Sequence, residues 1–163
     1  MSDTKYNVLF LCTGNSARSV ISEALLNRWG SDKFQAYSAG RQPKGEVHPK
    51  TIKILEKNNY STDNFSSKSW DEFTKPDAPE IDFVITVCSN AANETCPVFL
   101  GSPFNAHWDI DDPAREFESE QEQDKEFQKV FIELEHRIQA LTNLPKEKLN
   151  KVSLQTYLEE TSD

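Results

Sequence analysis

The apolar positions of this chain fall into short runs and helical stripes that alternate along its length. Val8-Leu9-Phe10-Leu11 is a continuous apolar run, the pattern of a strand buried on both faces. A turn-like stretch follows. Then Val20, Ile21, Ala24, Leu25 and Leu26 recur at helical spacing up to Trp29-Gly30, where Gly30 can stop a helix. Phe34-Gln35-Ala36-Tyr37-Ser38 predicts a second strand, ended by Ala39-Gly40. After a loop with Pro43 and Gly45, a helix is expected from His48-Pro49, with Ile52, Ile54 and Leu55 on its apolar side. Ser61 to Ser69 is polar and turn-rich, and Trp70-Asp71-Glu72-Phe73 fits a short helix.

Ile81 to Val87 is the clearest strand of the second half, and it runs into Cys88. A polar stretch, Ser89 to Thr95, separates it from Cys96-Pro97. Ala106 to Ile110 predicts a short strand, and Asp111-Asp112-Pro113-Ala114 a loop that opens a helix. Phe127, Val130, Phe131, Leu134, Ile138 and Leu141 define an amphipathic helix from about Glu120 to Leu141. The acidic run Glu116 to Glu126 reads as its solvated start, where negative charge is favourable. This alternation predicts one α/β domain over residues 1–144, a parallel sheet covered by helices on both faces. Residues 145–163 read as a polar C-terminal tail or a short docked helix. Parallel sheets carry their sites at the carboxyl ends of strands, and Cys12 and Cys88 both sit at such ends.

Charge and cysteine content narrow the chemistry. The net charge is −9, which disfavours nucleic acid and anionic membranes as partners. No apolar run approaches the length of a membrane span, and Met1 to Lys5 lacks the apolar stretch of a secretory signal. The cytoplasm is therefore the expected location. The three cysteines, Cys12, Cys88 and Cys96, are too few and unevenly spaced for a disulfide framework or a zinc site. His48, His107 and His136 are scattered, so no metal is expected.

An acidic chain that binds an anion needs a local device. Cys12-Thr13-Gly14-Asn15-Ser16-Ala17-Arg18-Ser19 leaves a buried strand and enters a helix. Its N–H groups can converge on one point, and the helix start adds positive potential there. Gly14 is expected to let the backbone approach the anion, and Arg18 to fork two hydrogen bonds onto oxyanion oxygens. The same field favours Cys12 as a thiolate nucleophile. Ser19 could bond the sulfur, and Asn15 could hold the loop's shape. A cysteine ending a strand can equally be plain core, so the motif gains weight from the strand before it and the helix after it.

The segment Val8 to Ser19, together with Tyr37-Ser38-Ala39-Gly40 and Asp112-Pro113, resembles the signature of the low-molecular-weight protein tyrosine phosphatase fold. Val87-Cys88, Cys96-Pro97 and His107-Trp108 leading to Asp111-Asp112-Pro113-Ala114 make the chain most similar, within that fold, to thiol-coupled arsenate reductases. The resemblance implies a three-layer α/β sandwich with a central four-stranded parallel sheet. It also implies arsenate reduction at Cys12, with Arg18 and the loop residues Thr13, Gly14, Asn15, Ser16, Ala17 and Ser19 binding the oxyanion. Asp112 fits the acid, with Asp111 its competitor. Cys88 and then Cys96 would relay oxidation outward from Cys12. Nothing is bound as a cofactor; an external thiol reductant, thioredoxin first and glutathione with glutaredoxin second, would close the cycle on a monomer.

The hydrolase alternative is a low-molecular-weight tyrosine or aryl phosphatase using Cys12, Arg18 and Asp112, with Cys88 and Cys96 incidental. Related phosphatases usually carry an aromatic residue after Asp-Pro, where this chain has Ala114. Some relatives bind potassium beside the loop, at positions resembling Asn15, Ser38, a hydroxyl near Ser66, and an acid where Lys68 now stands. The expectation is that the Lys68 amine takes the cation's place and, with Ser38, supports the loop. His107 and Trp108 read as scaffold, His48 as a helix-entry residue and His136 as polar surface.

Overall fold

The computed structural model describes residues 5–88 and 103–162. Four strands form one sheet: β1 (Tyr6–Cys12), β2 (Phe34–Gly40), β3 (Phe83–Cys88) and β4 (Phe104–Asp109), in the order β2-β1-β3-β4. All three pairings are parallel, so each crossover needs a long connection. Helices α1 (Arg18–Trp29), α2 (Pro49–Lys57), α3 (Glu120–Thr142) and α4 (Lys151–Glu160) complete the regular structure, with a 3-10 turn at Trp70–Phe73. The sequence pattern places the four strands, α1 and α3 within two residues of their observed ends. Among the described residues no helix is long and apolar enough to cross a membrane.

The register sorts the side chains of the sheet into two faces. Val8 and Phe10 of β1 stand level with Ala36 and Ser38 of β2 and with Phe83 and Ile85 of β3. On this face Val8, Phe10, Ile85 and Trp108 join Leu25 of α1, Leu55 of α2, Phe127 and Leu134 of α3, and Leu154 and Leu158 of α4 in one buried cluster. Leu9, Leu11, Ala39 and Val84 make a smaller cluster on the other face, closed by Trp70 and Phe73. The three layers are thus unequal among the described residues: four helices on one side and a helical turn on the other. The C-terminal segment is helical as α4. Beyond it, the Ser162 hydroxyl accepts from His107 N–H and donates to its carbonyl, covering part of an otherwise open strand edge.

Helix ends follow the chemistry of their first residues. Ser119 caps α3 by accepting from Glu122 N–H, and Asn150 caps α4 by accepting from Ser153 N–H. His48 caps α2, with its Nδ1 accepting from Lys50 N–H at 3.0 Å and Pro49 opening the helix. Only α1 starts without a side-chain cap among these four helices. Its stop at Gly30 has a packing cause: the φ of −121° is ordinary, but a Cβ there would lie 2.8 Å from Thr142 and 2.9 Å from Phe34.

His48 makes stability depend on pH. Burial, then the Lys44 and Lys50 ammonium groups, hold its pKa below the usual imidazole value against the opposing pull of Asp112. The folded state therefore binds fewer protons than the unfolded one. That stabilisation is present above the unfolded pKa of about 6.5 and is lost as pH falls toward the folded value. His48→Asn keeps a capping acceptor without titrating. Its Tm should fall less than that of the wild type between about pH 7.5 and about pH 5.5; identical pH slopes in thermal melts would refute the role.

Candidate active site

The loop between β1 and α1 is fixed by what its carbonyl groups do. The Cys12 and Thr13 carbonyls accept from Arg41 and Gln42 N–H, and the Gly14 carbonyl accepts from Lys44 N–H and the Ser67 hydroxyl. The Ser16 carbonyl accepts from His48 N–H and the Thr51 hydroxyl. These negative ends are all drawn to one side, toward segment 41–51 and Ser67. The opposite side of the loop carries its N–H groups and the start of α1, which no side chain caps, the arrangement that gives helix starts their affinity for oxyanions.

Asn15 is the pivot. Its φ of 47° is left-handed, a region that asparagine tolerates better than most side chains. It is fully buried, and its side chain donates to the Ser19 hydroxyl at 2.7 Å and accepts from Lys68 N–H at 2.8 Å. The sequence expectation gave Gly14 this conformational role, and the structure assigns it to Asn15. Gly14 leaves space instead: a Cβ there would sit 3.2 Å from the Lys44 side chain.

The Cys12 sulfur is buried at the base of the concavity. It receives Asn15 N–H at 3.2 Å and lies 2.9 Å from the Ser19 hydroxyl. Because Asn15 already donates to that hydroxyl, Ser19 is left to donate to the sulfur. Arg18 is 3% exposed, a costly place for a charge unless it is paired. Its Nη1 donates to the Ile110 carbonyl at 3.1 Å, and Nη2 lies 3.8 Å from Asp112 Oδ2. Asp112 is itself oriented by accepting Ala114 N–H on Oδ1 at 2.9 Å. Cys12, Thr13, Gly14, Ser16, Ala17, Arg18 and Asp112 line a cavity of about 250 Å³, room for one small oxyanion. Asn15 and Ser19 support it from behind.

Behind the loop, Lys68 Nζ donates to the Ser38 and Ser66 carbonyls at 3.2 and 3.0 Å. The Ser38 hydroxyl donates to Glu23 at 2.6 Å. Burial raises the pKa of Glu23, opposed by this hydrogen bond and by the Lys68 charge. The ammonium thus bridges the Ser38 and Ser66 carbonyls behind the loop. Among the described residues no cluster of three or more His, Cys, Asp or Glu side chains could hold a metal.

Three residues at the site carried no readable signal. Glu23 interrupts an apolar helix, where a solvated position is the ordinary reading. Gln42 and Lys44 lie in a generic polar loop, yet both line the cavity mouth. Cys88 is fully buried and disulfide-bonded, whereas Cys12 is a free thiol. The two share an edge and neighbouring strands but not a face: Leu11 pairs with Thr86, so Cys12 falls level with Val87, and Cys88 takes the opposite side. Asp111, the second candidate acid, is outside the cavity lining. Cys96 lies outside the described residues.

Gly40, at the end of β2, backs the whole loop. A Cβ there would lie 2.7 Å from the Thr13 carbonyl oxygen and 3.0 Å from Asn15 N, both backbone atoms that can yield only if the loop moves. Gly40→Ala should keep the fold yet lower kcat/KM about a hundredfold, as a displacement near 1 Å can. Unchanged kinetics in a correctly folded variant would show that the loop tolerates displacement.

The geometry agrees with what the chain is similar to. The family model for low molecular weight phosphotyrosine protein phosphatase matches residues 7–154. An arsenate reductase of Bacillus cereus (strain 03BB102) is 35% identical over 142 residues, covering 87% of this chain and 98% of that protein. The arsenate reductase of Archaeoglobus fulgidus DSM 4304 superposes with a TM-score of 0.68 at 27% identity, over 83% of this chain and 98% of that one. A thioredoxin-dependent arsenate reductase of Corynebacterium glutamicum gives 0.60 at 25% identity, over 86% of this chain and 62% of that one. The cavity-forming loop, the parallel sheet that carries it and these similarities make the chain a member of the low molecular weight phosphotyrosine protein phosphatase family.

Proposed function

We propose that this protein reduces arsenate to arsenite, with Cys12 as the nucleophile and Cys88 and Cys96 as relay thiols. The Cys12 thiolate attacks arsenic in line. The loop N–H groups and the Arg18 guanidinium hold the equatorial oxygens, and Asp112 protonates the departing oxygen, which leaves as water. The Cys88 thiolate then attacks the Cys12 sulfur. The electron pair of the S–As bond passes to arsenic, arsenite departs, and the two thiols have become a disulfide. Cys96 attacks Cys88 in turn, freeing Cys12 and leaving a disulfide for an external dithiol to reduce.

The observation that favours reduction over hydrolysis is the state of the thiols. Cys88 is in a disulfide while Cys12 is free, so a cysteine other than the nucleophile takes part in thiol–disulfide chemistry. Similarity to a thioredoxin-dependent enzyme supports thioredoxin as the reductant, with glutathione and glutaredoxin as the other candidate. Hydrolysis of small aryl phosphates uses the same Cys12, Arg18 and Asp112, and would survive loss of Cys88.

Arsenate-dependent NADPH consumption with thioredoxin and its reductase, repeated with glutathione and glutaredoxin, tests this. Turnover with thioredoxin that disappears in Cys96→Ser is the expected outcome. Hydrolysis of an aryl phosphate without arsenate turnover from either donor would overturn the reductase reading. Lys68 acts in this scheme as a fixed internal cation on the Ser38 carbonyl, while its backbone N–H holds Asn15 of the loop. Potassium should therefore change the rate no more than sodium at equal ionic strength; strong, specific activation by potassium would refute that role.

A further inference from the structure

We propose that Lys44 is a second cationic ligand of the substrate, which selects small, doubly charged tetrahedral oxyanions that carry no organic substituent. This inference rests on the function proposed above and names the group that narrows it. The base of the cavity is already furnished: loop N–H groups and Arg18 surround the position above Cys12. In an in-line attack the leaving oxygen points away from the sulfur, toward the mouth. The mouth is lined by Asp112, Gln42 and Lys44.

Three observations put the Lys44 ammonium there. Its N–H donates to the Gly14 carbonyl at 3.0 Å, which ties its Cα to the rim of the loop. Its side chain lies along Gly14, with Cε 3.2 Å and Cγ 3.3 Å from where a Cβ would stand, so the stem crosses the rim. Lys44 lines the same cavity as Asp112 and Arg18, which sets Lys44 and Asp112 about one opening. Among the described residues no ion pair engages the Lys44 amine. An unpaired ammonium at the rim of an anion cavity, in a chain of net charge −9, is arranged to meet the anion.

The consequence is selectivity. Arg18 and the loop dipoles meet the charge on the equatorial oxygens, and Lys44 donates to the outward hydroxyl oxygen, the one that Asp112 protonates so that it leaves as water. In an aryl ester that oxygen carries the ring, which would have to pass an ammonium with only Ala114 following Pro113 to pack on. An inorganic dianion presents an unsubstituted oxygen there. Lys44 therefore favours arsenate, or phosphate as its non-reducible analogue, over phosphoesters.

Calorimetric titration of inorganic phosphate into the reduced protein tests this without any turnover. Lys44→Met should raise Kd about tenfold, the loss of one charge-assisted contact, and Lys44→Arg should stay within about threefold of wild type. The gap should narrow at high salt. In arsenate reduction the Lys44→Met loss should appear in KM while kcat changes little. If Lys44→Met binds phosphate as tightly as wild type while wild type reduces arsenate, this inference falls and the reductase reading stands. If phosphate binding depends on Lys44 but no arsenate is reduced, the reductase reading falls and the anion ligand stands.

Discussion

A chain of net charge −9 can hold a doubly charged oxyanion only if nearby donors outweigh its own carboxylates, and most of the site's construction answers that constraint. The distances decide it. Two unit charges 4 Å apart interact by about 4 kcal/mol at a partly buried site and about 1 kcal/mol in bulk water. Charges further than about 8 Å away across solvent are largely screened at physiological salt. Distant surface carboxylates therefore weigh little against an arginine and a ring of peptide dipoles at contact range. What cannot be tolerated is a carbonyl turned inward. The engagement of the Cys12, Thr13, Gly14 and Ser16 carbonyls by donors from segment 41–51 and Ser67 removes that threat.

Such a loop is strained and polar in a buried place, and the structure offsets both costs. The left-handed Asn15 is held from two sides, by Ser19 and by the backbone of Lys68. The buried guanidinium of Arg18 is satisfied by a carbonyl and an acid of the loop after β4. Behind them Lys68, Ser38 and Glu23 form a further polar layer with its own charges opposed. Bare Gly40 lets this layer lie directly against the loop. Five segments meet here: the end of β1, the start of α1, residues 41–45, residues 66–68 and the loop after β4. They meet because parallel pairing brings all carboxyl ends of the strands to one edge.

The sequence exposed this edge well and its rim poorly. Val8 to Leu11 and Ile81 to Val87 are readable because strands buried on both faces must be apolar throughout. The stripe from Val20 to Leu26 is readable because α1 packs on the larger core. The nucleophile loop stood out because cysteine, small residues and arginine between a strand and a helix have few other uses. Lys44 and Gln42 were invisible for the opposite reason. They are exposed polar residues in a polar loop, and only the bonds from their N–H groups to Thr13 and Gly14 bring them to the mouth. Glu23 was hidden because its burial depends on Ser38, fifteen residues away. Gly14 was misread for a subtler cause: a glycine in a tight loop suggests backbone freedom, whereas here the missing Cβ leaves room for a lysine stem.

The relation between Cys12 and Cys88 sets the physical demand on the proposed relay. Neighbouring strands lie about 4.8 Å apart, within the Cα separation a disulfide spans. Distance between strands is thus no obstacle, but orientation is, since the register sends the two side chains to opposite faces. Joining them requires the end of β3 to turn out of the pleat. Cys88 is its last residue, and the bond from Ile110 N–H to the Cys88 carbonyl is among the few holding it there. Releasing one or two such bonds costs about 0.5–1.5 kcal/mol each, far less than opening the sheet. The same Ile110 presents its carbonyl to Arg18. One residue, through its N–H and its carbonyl, therefore ties the backbone of the second thiol to the guanidinium of the anion site. Turning Cys88 toward Cys12 loosens Ile110 and with it the group that holds the oxyanion, so in this relay the movement that brings the second thiol to the sulfur also weakens the grip on the departing product.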